Sequence, residues 1–103
     1  MDEVGAGFEA PDAGPGGGLA ASIRRATMLA TSERDLAARE RDRASEDIAR
    51  ADNAPERSRG MHLRAAAMHQ RAASLHDAAA QLQDLHRTHL IELSAPRGSA
   101  DPA

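Results

Sequence analysis

The chain has no cysteine, no lysine, no tryptophan and no tyrosine, and Phe8 is its one aromatic residue. Without cysteine there are no disulfides and no thiol chemistry. Without aromatics there is no platform on which single-stranded nucleic acid could stack. Every basic residue is an arginine set among acids, and the formal net charge is -3, so no face carries the basic footprint of a polyanion binder. No apolar run approaches the roughly 20 residues that span a bilayer. Surface binding to a membrane would call for bulky apolar anchors and an excess of base. Neither nucleic acid nor membrane is therefore an expected partner. The acidic, glycine-rich N-terminal stretch does not read as a signal peptide, and a cytoplasmic protein is the default expectation. Bulk is scarce as well. Alanine supplies 24 of the 103 residues, too little side-chain volume for a conventional globular core.

What the chain has is periodicity. Met61, Ala65, Met68, Ala72, Leu75, Ala79 and Leu82 follow one another at alternating spacings of four and three. That alternation keeps one apolar seam on one side of a helix. The sequence also repeats at seven, from His62 to Met68, His69 to Leu75 and His76 to Leu82. Helix formers dominate, and neither proline nor glycine falls between Met61 and Ala95. Large residues alternate with alanine, so a partner backbone can come close. Alanine removes little apolar surface from water, and at ~25 cal/mol per Å² the seam gains less than a leucine–isoleucine zipper of equal length.

A first helix is expected over about residues 19–52, with apolar positions including Ile23, Leu29, Leu36 and Ile48. Its stripe is interrupted at Glu33 and Glu40. Opposite charges four apart, such as Asp35 with Arg39 and Glu46 with Arg50, read as a solvated face worth roughly 0.2–0.5 kcal/mol per pair. Ser32 could cap a new helix and break the rod there. Asp52-Asn53-Ala54-Pro55 reads as a turn, because proline lacks a donor and restricts the residue before it. The second helix then runs over about 55–95 and stops at Ser94-Ala95-Pro96. Residues 1–18, rich in glycine and acid, and residues 96–103 read as disordered tails. Gly16-Gly17-Gly18 precedes a helix as phosphate-cradling loops do, but it lacks the Gly-Lys-Ser/Thr ending and a preceding strand.

The expected architecture is all-α: an antiparallel two-helix, coiled-coil-like hairpin. A lone hairpin leaves part of each seam wet. A homodimer closing a four-helix bundle is expected, along the seam Leu36, Ile48, Met61, Ala65, Met68, Ala72, Leu75, Ala79 and Leu82, with another helical protein as a further possible partner. The expected function is that of a non-enzymatic interaction or structural module, with no cofactor.

All five histidines lie in the second helix. His62, His69 and His76 recur at seven and should flank the seam, ~10.5 Å apart and too distant to share a metal. His86 and His89 share a face and, with Glu92, form the alternative site for a metal ion, helped by His62, His69 or His76 from a neighbouring helix. The Glu-x-x-His pattern of di-iron bundles is missing, since Gln83 stands three before His86. A third reading is pH sensing: histidines beside a packed seam lose hydration, and protonating several would oppose assembly. Catalysis has little to rest on. Ser74 and His76 point in different directions, and Asp77 and Asp84 fall on the face most exposed in a heptad.

The repeats Glu33 to Ala44 and His62 to His69 resemble those of small uncharacterised helical-hairpin proteins and helical linkers of high-GC actinobacteria. The likeness covers about residues 33–90. It implies a bacterial cytoplasmic helical protein and carries over no catalytic residue.

Overall fold

A computed structural model describes residues 15–95. It contains two helices, α1 (Pro15–Asp52) and α2 (Glu56–Ser94), and no strand among those residues. Of the expected tails, residues 1–14 and 96–103 lie outside the described residues, while 15–18 are helical and not tail. Helix α1 begins four residues earlier than Leu19, at Pro15, whose fixed φ suits a first helical turn. It also runs unbroken past Ser32. Thr27 and Thr31 donate their hydroxyls to the carbonyls of Ile23 and Thr27, each at 3.0 Å. These hydroxyls are thus satisfied inside the helix and do not compete with it.

The reversal is tight. The Asn53 and Ala54 amides donate to the carbonyls of Arg50 and Ala51 at 3.2 and 3.3 Å, closing the end of α1. Pro55 then takes an extended conformation (φ -59, ψ 154), and the Ser58 and Arg59 amides donate back to its carbonyl at 3.0 and 3.1 Å. The Arg59 guanidinium reaches across to the Ala51 carbonyl at 3.3 Å, tying the first turn of α2 to the last of α1.

The two helices pack along a line of alanines. Ala30, Ala37, Ala44 and Ala51 recur at seven on α1, and Ala66, Ala73 and Ala80 recur at seven on α2; all are buried. Ala37 is 0% exposed and Ala73 1%. The register is fixed by pairs beside this line: Glu40 meets His69 and Glu33 meets His76. Seven residues back on one helix is seven forward on the other, as antiparallel pairing requires. The same register sets Ala37 level with Ala73, Ala30 with Ala80 and Ala44 with Ala66. Leu90, the one large buried hydrophobic residue among the described residues, lies level with Leu19 at the open end.

The seam read from the sequence does not close the hairpin. Met61, Met68, Leu75 and Leu82 point to solvent at 55–67% exposure. Helix α1 explains why. After Leu29 and Leu36, the same helical row continues as Arg43 and Arg50, so α1 has no large apolar row to meet methionine and leucine. Its one unbroken apolar row is alanine, and alanine meets alanine at close range.

Candidate functional site

Two rows on α2 concentrate what this molecule can do: the histidine row that faces α1, and the methionine–leucine row that faces away.

His62, His69 and His76 are half-buried between the helices and do not flank the outer seam. His69 Nδ1 lies 2.6 Å from Glu40 Oε1, and its Nε2 lies 3.5 Å from Asp47 Oδ2. His76 Nδ1 lies 2.6 Å from Glu33 Oε1. Asp47 is buried at 8% exposure and also accepts from Arg50 Nη1 at 3.0 Å. Glu40 has a second partner in Arg43 at 3.5 Å. A carboxylate only accepts, so each close ring nitrogen donates. A ring carrying both protons donates to both acids around His69, whereas a neutral ring donates to one. The acids Glu33 and Glu40, which break the apolar stripe of α1, are the complement of the histidine row. Two rows of sevenfold spacing, Glu33/Glu40/Asp47 and His62/His69/His76, carried that signal in the sequence.

His69 and His76 thus each face an acid of the same chain, where their spacing predicts a place beside the seam between copies. Asp77 and Asp84 are also placed differently from expectation. They are partly covered and form ion pairs with Arg41 and Arg34 across the hairpin. Exposed pairs of this kind contribute only ~0–1 kcal/mol. His86, His89 and Glu92 are all exposed, and among the described residues no group of three or more His, Asp or Glu side chains is placed to hold a metal ion.

The outward row forms the larger feature. Met68, Leu75 and Leu82 are 64–67% exposed, with the half-buried Ala65, Ala72 and Ala79 alongside. Leu29 of α1 borders the same groove as His86, on the flank of the hairpin that carries Ala79. Leu36 lies seven residues on from Leu29 and so shares that flank. Ile48 does not. Twelve residues from Leu36 turn the helix by about 120°, which puts Ile48 on the opposite flank, in the row of Arg34 and Arg41. One apolar flank therefore gathers Leu29 and Leu36 with the seven residues from Met61 to Leu82, and Ile48 lies outside it.

The arginines on this surface are unevenly placed. Arg57, Arg64 and Arg71 form the row just outside the apolar stripe on α2, and it continues as Ala78, Leu85 and Glu92. On α1 the bordering row reads Leu29, Leu36, Arg43, Arg50. Both rows are basic toward the turn and apolar toward the open end. No described helix is long and apolar enough to cross a membrane. No protein-family model matches the chain, and no curated protein or solved structure is detectably similar to it.

Proposed function

We propose that this chain is a non-enzymatic helical hairpin that self-associates through its methionine–leucine flank and serves as an interaction or structural module. The observation that carries the reading is the continuous exposed row Met61, Met68, Leu75 and Leu82, bordered by Leu29 and Leu36. Contiguous apolar surface rimmed by charge is characteristic of interaction sites. The six side chains leave on the order of 500 Å² of apolar area in water, close to the ~57% apolar share of a patch of ~800 Å² per partner. Two hairpins joined in this way make a four-helix bundle.

The interior supports the same reading from the other direction. Each buried alanine methyl contributes only ~0.8 kcal/mol, against ~1.5–3 for a buried leucine or methionine. A hairpin closed by alanine and by partly exposed acid–histidine pairs is marginal alone and gains from a partner by mass action. The acids and histidines inside it are engaged with one another across the helix interface, which favours a structural role for them over acid–base chemistry on a substrate.

Sedimentation equilibrium tests this. The expected mass at concentrations on the order of 10 μM is about twice 10.9 kDa. The thermal midpoint should also rise with protein concentration. A single 10.9 kDa species with a concentration-independent midpoint would remove the proposal.

A further inference from the structure

Resting on that self-association, we infer that the two copies pair antiparallel, α2 against α2, with the two-fold axis beside Ala72. The size order along the row suits a symmetric contact. It reads Met61, Ala65, Met68, Ala72, Leu75, Ala79, Leu82, large and small alternating about a central alanine. With Ala72 on the axis, Met68 lies level with the partner's Leu75, Ala65 with the partner's Ala79, and Met61 with the partner's Leu82. Large layers then alternate with alanine layers that let the backbones approach. A patch that meets its own copy in this way forms a closed, isologous interface.

Size alone would also suit a parallel pair, and charge decides between the two. The flank is polarised on both helices. Arg57, Arg64 and Arg71 on α2 and Arg43 and Arg50 on α1 crowd the turn half; Arg43 pairs with Glu40 at 3.5 Å, and Arg50 with Asp47 at 3.0 Å and Glu46 at 3.9 Å, so the polarity rests chiefly on the α2 row. The open half carries Ala78, Leu85 and Glu92 on α2 and Leu29 and Leu36 on α1, with Arg25 beside Leu29. Parallel pairing stacks the arginine-rich half of one copy on that of the other, and like charges across an interface are costly. Antiparallel pairing sets each arginine-rich half against the leucine half and Glu92 of the partner. Arginine stems can then lie along exposed leucine while their heads stay in water. It also sets the two α2 macrodipoles head to tail.

The lack of cysteine makes the test clean, because any disulfide between copies reports an introduced pair. Single variants Met61→Cys and Leu82→Cys are oxidised mildly, each alone and then mixed, with a mass tag on one. In the antiparallel pair, two copies of residue 61 lie about 32 Å apart along the axis. That exceeds the ~7 Å Cα reach of a disulfide. The expected result is covalent dimer in the mixture, joining tagged to untagged chain, and at most a tenth of that yield from either variant alone. Light scattering on the reduced samples separates the two ways of failing. Monomers would overturn the self-association on which the inference rests. Dimers that cross-link readily through Met61→Cys alone would overturn only the antiparallel order. Dimers that cross-link in none of the three samples would overturn the choice of face.

Discussion

The two sides of α2 invert the usual relation between size and burial. On the side facing α1, Ala66, Ala73 and Ala80 are almost wholly covered; on the side facing away, Met68, Leu75 and Leu82 are about two-thirds exposed. Ala73 and Leu75 are two residues apart, and two residues turn the helix about 160° the other way round. Burial here follows the complement that α1 offers. Helix α1 presents alanine and acid at sevenfold spacing, and α2 answers with alanine and histidine. Its methionines and leucines find no match within the chain, so they are left for a match outside it. The hairpin's inner contact and the surface proposed for association thus lie on opposite faces of one helix, and substitutions can separate them.

The sharpest separation comes from enlarging the inner face. Ala73→Leu forces bulk between backbones that the alanine row holds close. Overpacking of this kind typically costs about 1–3 kcal/mol, and a close alanine seam leaves little room for relief. Urea titration followed by circular dichroism should show a lower midpoint, with helicity lost first at low protein concentration. An unchanged midpoint would mean that the helices are not packed along Ala37 and Ala73.

A smaller loss is expected from the polar layer. Glu40→Ala removes the acceptor 2.6 Å from His69 Nδ1, in a site about one-fifth exposed on the acid side. Asp47 still faces the other ring nitrogen. The expected cost is about 1 kcal/mol at neutral pH, read from the same titration. Exchanging both members for apolar residues, Glu40→Leu with His69→Leu, should recover that loss or exceed it, since paired polar groups in an interface often do no better than well-packed hydrophobics. If Glu40→Ala alone is neutral, the acid–histidine layer sets register without stabilising the hairpin.

The smallest effect has the opposite sign. Gly60 is helical and exposed, and a Cβ there would meet only the tip of Arg64 at 3.3 Å. That guanidinium is the free end of a flexible chain and can move aside. Gly60→Ala should therefore stabilise α2 by about 0.4–1 kcal/mol, through the entropy of the unfolded chain. The thermal midpoint checks it.

Two helices, their turn and their antiparallel order follow from proline, glycine and heptad spacing, all of which are local. The inner contact is harder to read because α2 carries two heptad rows, and the bulkier one masks it. Taken alone, the run from Met61 to Leu82 looks like the stronger seam. Choosing between the rows requires comparison with α1, where Glu33 and Glu40 look like faults in an apolar stripe until they are set against His76 and His69. Leu36 and Ile48 show the same limit on a smaller scale. Both are apolar residues of one helix, but the twelve residues between them place them on opposite flanks. The methionine–leucine row itself is legible from its spacing, and its exposure follows from what α1 lacks.

The separation of the two faces rests most directly on the molar mass of Leu75→Asp beside the unaltered chain in sedimentation equilibrium. Leu75 is 67% exposed and lies about 160° round α2 from Ala73, so the charge strikes the outward row. The expected result is a dimer for the unaltered chain and a variant that stays at 10.9 kDa across the same concentrations. A variant as heavy as the unaltered protein would show that the methionine–leucine row joins nothing.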